Sequence, residues 1–196
     1  NILKLKINPS KIIVGKEFRF GKNRSGNTQL LKNYFDVKIA KQKKIGRKKI
    51  SSSEIRKFIQ KGKIAKANNL LGRYWSIYGK IISGDKIGRK LGFRTANTII
   101  KNCVQPLRGV YVTKLKINNK TYDGVSNFGI APTFGNKQSN VLETHLFTPI
   151  KNLYKKNVKI QFLEFLRKEK KFKTKKILTD QIKKDITIAK RILKNV

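Results

Sequence analysis

"GVYVTKLKINNKTYDGVSNF", residues 109–128, decides the fold. Two runs rich in Val, Ile, Thr and Tyr flank "INNK", and asparagines between such runs mark a hairpin turn. The same texture continues outward in "YWSIYGKIIS" before it and in "VLETHLF" and "NVKIQFLEFL" after it, each bounded by Gly, Asn or Asp. Five or six short strands in about 95 residues imply a small antiparallel barrel or sandwich.

Beyond the strands, Leu178, Ile182, Ile186, Ala189 and Leu193 recur at steps of three or four from about Thr174. That spacing predicts a C-terminal helix with one apolar stripe to lay on the barrel. Toward the N-terminus the texture changes near Gly72–Tyr74, which divides the chain into 1–72 and 73–196. In the first part, Lys11–Gly15 and Tyr34–Ile39 read as short strands, the segment before Lys11 as a linker, and "KEFRFGKNRSGN" as a strand end opening into a loop. "ISSSEIRKFIQKGKIAKANNLLG" places hydroxyls beside Glu54, then helical spacing at Ile55, Phe58 and Ile59, a stop at Gly62 and a second helix to Leu71. This half reads α/β.

The chain has 196 residues, 38% of them hydrophobic, enough for a core despite a mean hydropathy of -0.49. Lys and Arg number 48 against 10 Asp and Glu, a net charge of +38 that directs attention to polyanions. The lysines are spread over almost every segment instead of being gathered on one face. That spread looks like a general lysine-rich bias, so no specific nucleic-acid partner is expected, and a basic RNA-binding barrel is kept as the competing reading. One cysteine, Cys103, and one histidine, His145, leave no disulfide and no zinc cluster. No run approaches about 18 apolar residues and no signal-peptide pattern is visible, so a cytoplasmic chain without a membrane partner is expected. The chain contains no Met and opens on Asn1, and an N-terminal piece is expected to be missing.

Three stretches carry candidate chemistry. "GDKIGRKLGFRTAN", Gly84–Asn97, lacks both the Gly-Lys-Ser/Thr ending of a P-loop and a tight Gly-x-Gly pair. Three glycines four apart would cost a helix about 3 kcal/mol, so the stretch is a loop. Its backbone N–H groups, with Lys86, Arg89 and Lys90, suit a triphosphate. Thr95 and Asn97 then point the same way from extended backbone as two hard oxygen ligands. A glycine-rich hairpin with solvated charges is the bland alternative. In "VLETHLF", alternation sets Glu143, His145 and Phe147 on one face, making Glu143 either a general base or half of an ion pair with a lysine. In "ISSSEIR", Ser51, Ser52 and Ser53 at a helix N-terminus with Arg56 one turn in suit a phosphate, although capping alone also explains the serines.

The order of "VGKEFRFGKNRSGN", "ISSSEIR", "LLGRYWSIYGKIISGDKIGRKLGFRTAN", "GVYV", "GVSNFGIAPTFG", "LETHLF" and "FLRKEKKF" closely resembles the bacterial bifunctional riboflavin kinase/FMN adenylyltransferases, the prokaryotic FAD synthetases. The resemblance covers essentially the whole chain. It implies an α+β fold: a six-stranded antiparallel riboflavin kinase barrel with a C-terminal helix over 73–196, preceded over 1–72 by the C-terminal part of a nucleotidyltransferase-like α/β module. It further implies riboflavin and ATP as small-molecule substrates, Mg²⁺ as cofactor and FMN as product. By this resemblance the loop from Gly84 through Gly88 to Gly92, with Lys86 and Arg89, covers the ATP phosphates. Thr95 and Asn97 place Mg²⁺, and Glu143 is the base that takes the proton of the ribityl 5′-hydroxyl. Asn127 lies among the ligand contacts, and Arg167 and Glu169 help close over the flavin. Phe18 and Phe20 of "EFRFG", and Ser52 and Arg56, correspond to flavin and ATP contacts of the adenylyltransferase module.

The pattern departs from the family in two places. Arg94 stands where the family has Pro before Thr-Ala-Asn; it either loosens the approach to Thr95 or reaches a phosphate, and a degenerate kinase that only binds flavin is the extreme outcome. The N-terminal histidine motif on which adenylylation depends is absent from these residues, so the expectation is FMN without FAD.

Overall fold

The computed structural model describes residues 2–46, 48–83, 92–132, 138–150 and 152–196. Its contacts divide the chain into two compact units, Asn1–Ser51 and Ser52–Val196.

In the first unit, Ile2–Ile7 is a wide helical turn, closed by the Asn8 N–H on the Leu3 carbonyl at 2.8 Å, where a linker was expected. Strand β1 (Ile12–Gly15) then pairs in parallel with β4 (Val37–Ala40), Ile12 opposite Val37. Between them lie the short antiparallel strands β2 (Arg19–Phe20) and β3 (Gly26–Asn27) and helix α1 (Thr28–Lys32). A Cβ at Gly26 would stand 2.7 Å from the Phe20 ring, so a larger residue there would have to displace that ring. Asn27 caps α1 by accepting the Leu30 N–H at 2.9 Å. Two further short strands, β5 (Lys44–Ile45) and β6 (Lys48–Lys49), form a hairpin.

The second unit begins with helices α2 (Ser52–Gln60) and α3 (Ile64–Leu71), separated by Gly62 at φ +71 and ended by Gly72 at φ +65, both left-handed positions that favour glycine. Strands β7 (Trp75–Ile82), β8 (Thr95–Ile99), β9 (Gly109–Ile117), β10 (Lys120–Pro132), β11 (Gln138–Leu146) and β12 (Asn157–Lys168) follow. They close into a six-stranded barrel in the order β10-β11-β8-β7-β12-β9, antiparallel throughout. The β9–β10 turn is made by Asn118 and Asn119 at φ +47 and +62, the pair of left-handed residues that a tight hairpin needs.

Inward residues alternate with outward ones. Trp75, Ile77, Ile81, Tyr111, Leu115, Phe128, Leu142, Ile160 and Phe162 fill the interior. Ile59, Ile64 and Ala67 from α2 and α3 join the same core. These two helices therefore belong with the barrel by contact, and the spatial division falls at 51/52 where composition changes at 72/73. Burial pushes the Tyr111 phenol well up, and its O–H donates to the Leu107 carbonyl. Three buried hydroxyls cross the wall from inside: Thr113 Oγ1 lies 2.7 Å from Ser126 Oγ, which lies 2.8 Å from Thr144 Oγ1.

Helix α4 (Lys175–Leu193) starts where Thr174 Oγ1 accepts the Ile177 N–H. Its Ala189, Ile186, Ile192 and Leu193 cover Val110, Val112, Val125 and Leu163 on the outer face of the barrel. Among the described residues, no helix is long and apolar enough to cross a membrane.

Candidate active site

The closed register aligns residues that are far apart in sequence. Arg167 on β12 is opposite Val110 on β9, and Val110 is opposite Asn127 on β10. Asn127 faces Glu143 on β11, Glu143 faces Asn97 on β8, and Asn97 faces Ile82 on β7. These residues form one continuous row around the wall. Their chain neighbours Phe128, Leu142, Thr98 and Ile81 are buried inside, so Asn127, Glu143 and Asn97 project outward from adjacent strands. Directly opposite side chains in such ladders stand about 4.5–5.5 Å apart at Cβ. An amide, a carboxylate and a second amide thus share one small patch.

Asn97 Oδ1 is buried and accepts no hydrogen bond among the described residues. A stranded acceptor costs about 1–3 kcal/mol unless a donor or a cation completes it. Thr95, two residues earlier on the same face, is half-buried opposite His145. Two neutral oxygen donors on one strand fit a hard cation that keeps most of its shell for water and phosphate. No group of three His, Cys, Asp or Glu side chains able to cage a metal occurs among the described residues.

Arg167 lies at the end of the row, but much of its guanidinium is already engaged. Nε donates to both Asp185 oxygens at 3.0 Å, Nη2 to Oδ2 at 2.8 Å, and Nη1 to the Lys168 carbonyl at 3.1 Å. Gln181 Nε2 also donates to Asp185, at 2.9 Å, and Phe172 lies 5.7 Å from the guanidinium carbon. Side-chain exposures of 16% and 5% make Arg167–Asp185 a largely desolvated pair. It ties the last barrel strand to α4. Glu169 reaches back over β10: its Oε1 lies 2.3 Å from where a Cβ of Gly129 would be. Gly129 is two residues beyond Asn127 on the same face, so the missing side chain makes room for a carboxylate beside the row.

The other expected site residues fall elsewhere. Gly92 is exposed at φ +83, a left-handed joint ahead of Thr95. Gly84, Lys86, Gly88 and Arg89 lie outside the described residues, and with them the expected phosphate loop. Phe18 and Phe20 stack at 5.9 Å in the first unit. Ser52 and Arg56 occupy the first turns of α2 in the second. Sequence reasoning missed Asp185, although an acidic residue on the apolar stripe beside Ile186 was a signal. It also missed Gly129, whose open space is visible only once Glu169 is placed.

Comparison with known proteins agrees with this architecture. A riboflavin kinase family model matches residues 71–193, and a FAD synthetase model matches residues 1–54. The bifunctional riboflavin kinase/FMN adenylyltransferase of Buchnera aphidicola subsp. Schizaphis graminum is 41% identical over 97% of this chain and 64% of that protein. The Bacillus subtilis protein of the same name is 36% identical, over 97% of this chain and 62% of that one. The chain thus spans somewhat less than two thirds of these relatives. A crystal structure titled as a macrolide-efflux protein from Streptococcus pneumoniae matches with a TM-score of 0.78 at 29% identity, covering 96% of this chain and 64% of that one. With the kinase model matched across the whole barrel and α4, the chain belongs to the riboflavin kinase family.

Proposed function

We propose that this chain transfers the γ-phosphate of ATP to the 5′-hydroxyl of riboflavin, giving FMN and ADP. The observation that carries the reading is the Asn127–Glu143–Asn97 row, with its buried and unmatched Asn97 oxygen. Phosphoryl transfer to an alcohol needs positioning, charge neutralisation and one proton acceptor. Glu143 accepts the proton of the ribityl 5′-hydroxyl as its oxygen bonds to the γ-phosphorus, and the bond to the β-phosphate oxygen breaks to release ADP. Placement on a half-buried wall keeps the carboxylate aimed and partly desolvated.

Thr95 and Asn97 are the residues that would hold Mg²⁺, which when bound supplies positive charge to the phosphates. Asn127 orients the carboxylate or the flavin from the neighbouring strand. Arg167, held by Asp185, and Glu169, seated on Gly129, close the flavin end. Phe18, Phe20, Ser52 and Arg56 are assigned to the adenylyltransferase function of longer relatives.

The test incubates the 196-residue chain with riboflavin, ATP and Mg²⁺, then separates the flavins and measures them by fluorescence. FMN is the expected product of this chain. Riboflavin binding with no FMN under any divalent ion would leave a flavin-binding protein; neither binding nor product would overturn the assignment.

A further inference from the structure

His145 is the chain's only histidine. It stands on β11 two residues after Glu143 and directly opposite Thr95, and the β8–β11 ladder ends at this pair. One residue earlier on the other strand, the Arg94 carbonyl lies outside the ladder, and His145 Nδ1 is 3.0 Å from it. A carbonyl can only accept, so Nδ1 carries the proton and the imidazole adds one rung to the sheet. Its ring meets Phe93 edge-on, with centroids 5.4 Å apart at 85°, and is backed by Phe147 at 6.3 Å. One side chain therefore grips both residues that lead into Thr95, Ala96 and Asn97.

That grip matters because, among the described residues, Thr95 and Ala96 have ladder partners on β11 alone: pairing of β7 with β8 is confined to Ile81–Thr98 and Ile82–Asn97. Gly92 is in a left-handed conformation at φ +83, and Arg94 has no ring to fix its own φ. Strand ends with unpaired backbone groups fray first. We propose that His145 is a positioning residue for the nucleotide and metal end of the site: by holding Phe93 and Arg94 it sets the direction of the Thr95 hydroxyl and the Asn97 amide oxygen. Glu143 needs no such help, since it has ladder partners on both sides in Asn127 and Asn97. The inference rests on the kinase reading above for its kinetic form, but not for its structural form.

The experiment compares His145→Leu and His145→Asn with the unmodified chain. Leucine keeps apolar bulk and removes the donor; the asparagine amide restores an N–H at a distance from the backbone similar to that of Nδ1. In His145→Leu the KM for ATP should rise about tenfold, the effect of losing one well-placed hydrogen bond, with the KM for riboflavin unchanged. His145→Asn should recover most of that loss. Amide hydrogen exchange over residues 93–99 should speed up in the leucine variant and be restored in the asparagine variant. An unchanged KM for ATP and unchanged exchange in His145→Leu would overturn the proposal. Equal loss in both variants would overturn the hydrogen bond as its basis and leave only ring packing. If the unmodified chain makes no FMN, the kinase reading fails, while the exchange data still decide whether His145 anchors the strand.

Discussion

In Ser52–Val196 every barrel strand has a neighbour on each side, whereas in Asn1–Ser51 the described strands β1 and β4 pair only with each other. The first arrangement leaves no open edge and surrounds a core of large side chains. The second exposes Ile13 at 65% and Ile39 at 39% and buries little beyond Val14, Gly26 and Leu31. Parallel pairs are normally covered on both faces, whereas among the described residues of this unit Ile13 and Ile39 lie uncovered. The difference shows where rigidity is available. A row of side chains held on three consecutive, fully paired strands can keep a reacting group within tenths of an ångström, and a two-stranded ribbon cannot.

The sharpest way to break this comparison is to remove the carboxylate from the row. Glu143→Ala should lower kcat for FMN formation by roughly 10²–10⁴-fold with a milder change in either KM, read by steady-state kinetics. An unchanged rate would mean that the barrel wall is not where the proton goes. Next in size is the buried ion pair. Asp185→Ala leaves the Arg167 guanidinium without its partner at 16% exposure, which should cost about 3–5 kcal/mol in urea unfolding of the barrel.

A smaller loss is expected from Gly109→Ala. Gly109 sits at φ +146, and a Cβ there would lie 2.2 Å from the Arg167 carbonyl oxygen, which is backbone and cannot swing aside. About 1–3 kcal/mol of barrel stability should be lost, measured in the same titration. The smallest effect belongs to the first unit: Ile13→Lys at a 65% exposed position should change stability by less than about 0.5 kcal/mol. A large loss there would mean that the ribbon face is covered in solution and would erase the contrast.

Local signals reached some of this architecture and stopped at closure. Asn118 and Asn119 announced their hairpin because left-handed backbone is cheap for asparagine, and the apolar stripe from about Thr174 announced α4. Strand alternation put Glu143 and His145 on one face. What lay beyond reach was the partner of that face. Asn97 meets Glu143 only because β8 and β11 are brought together by ring closure across a long intervening segment, and no residue pattern within either strand encodes that register. The same holds for His145 and Arg94. The packing of α2 and α3 into the barrel core was also hidden, since an amphipathic helix declares that it has a buried face but not which surface buries it.

The hydroxyl line Thr113–Ser126–Thr144 has a consequence for how substitutions combine. Each O–H has one proton, so Ser126 can donate to only one of its two neighbours and must accept from at least one of them. Deleting the serine oxygen alone strands two groups at once, while replacing all three residues by apolar side chains of matching shape strands none. The triple replacement should therefore destabilise less than three times the single one, and a thermodynamic cycle over these positions should show strong non-additivity.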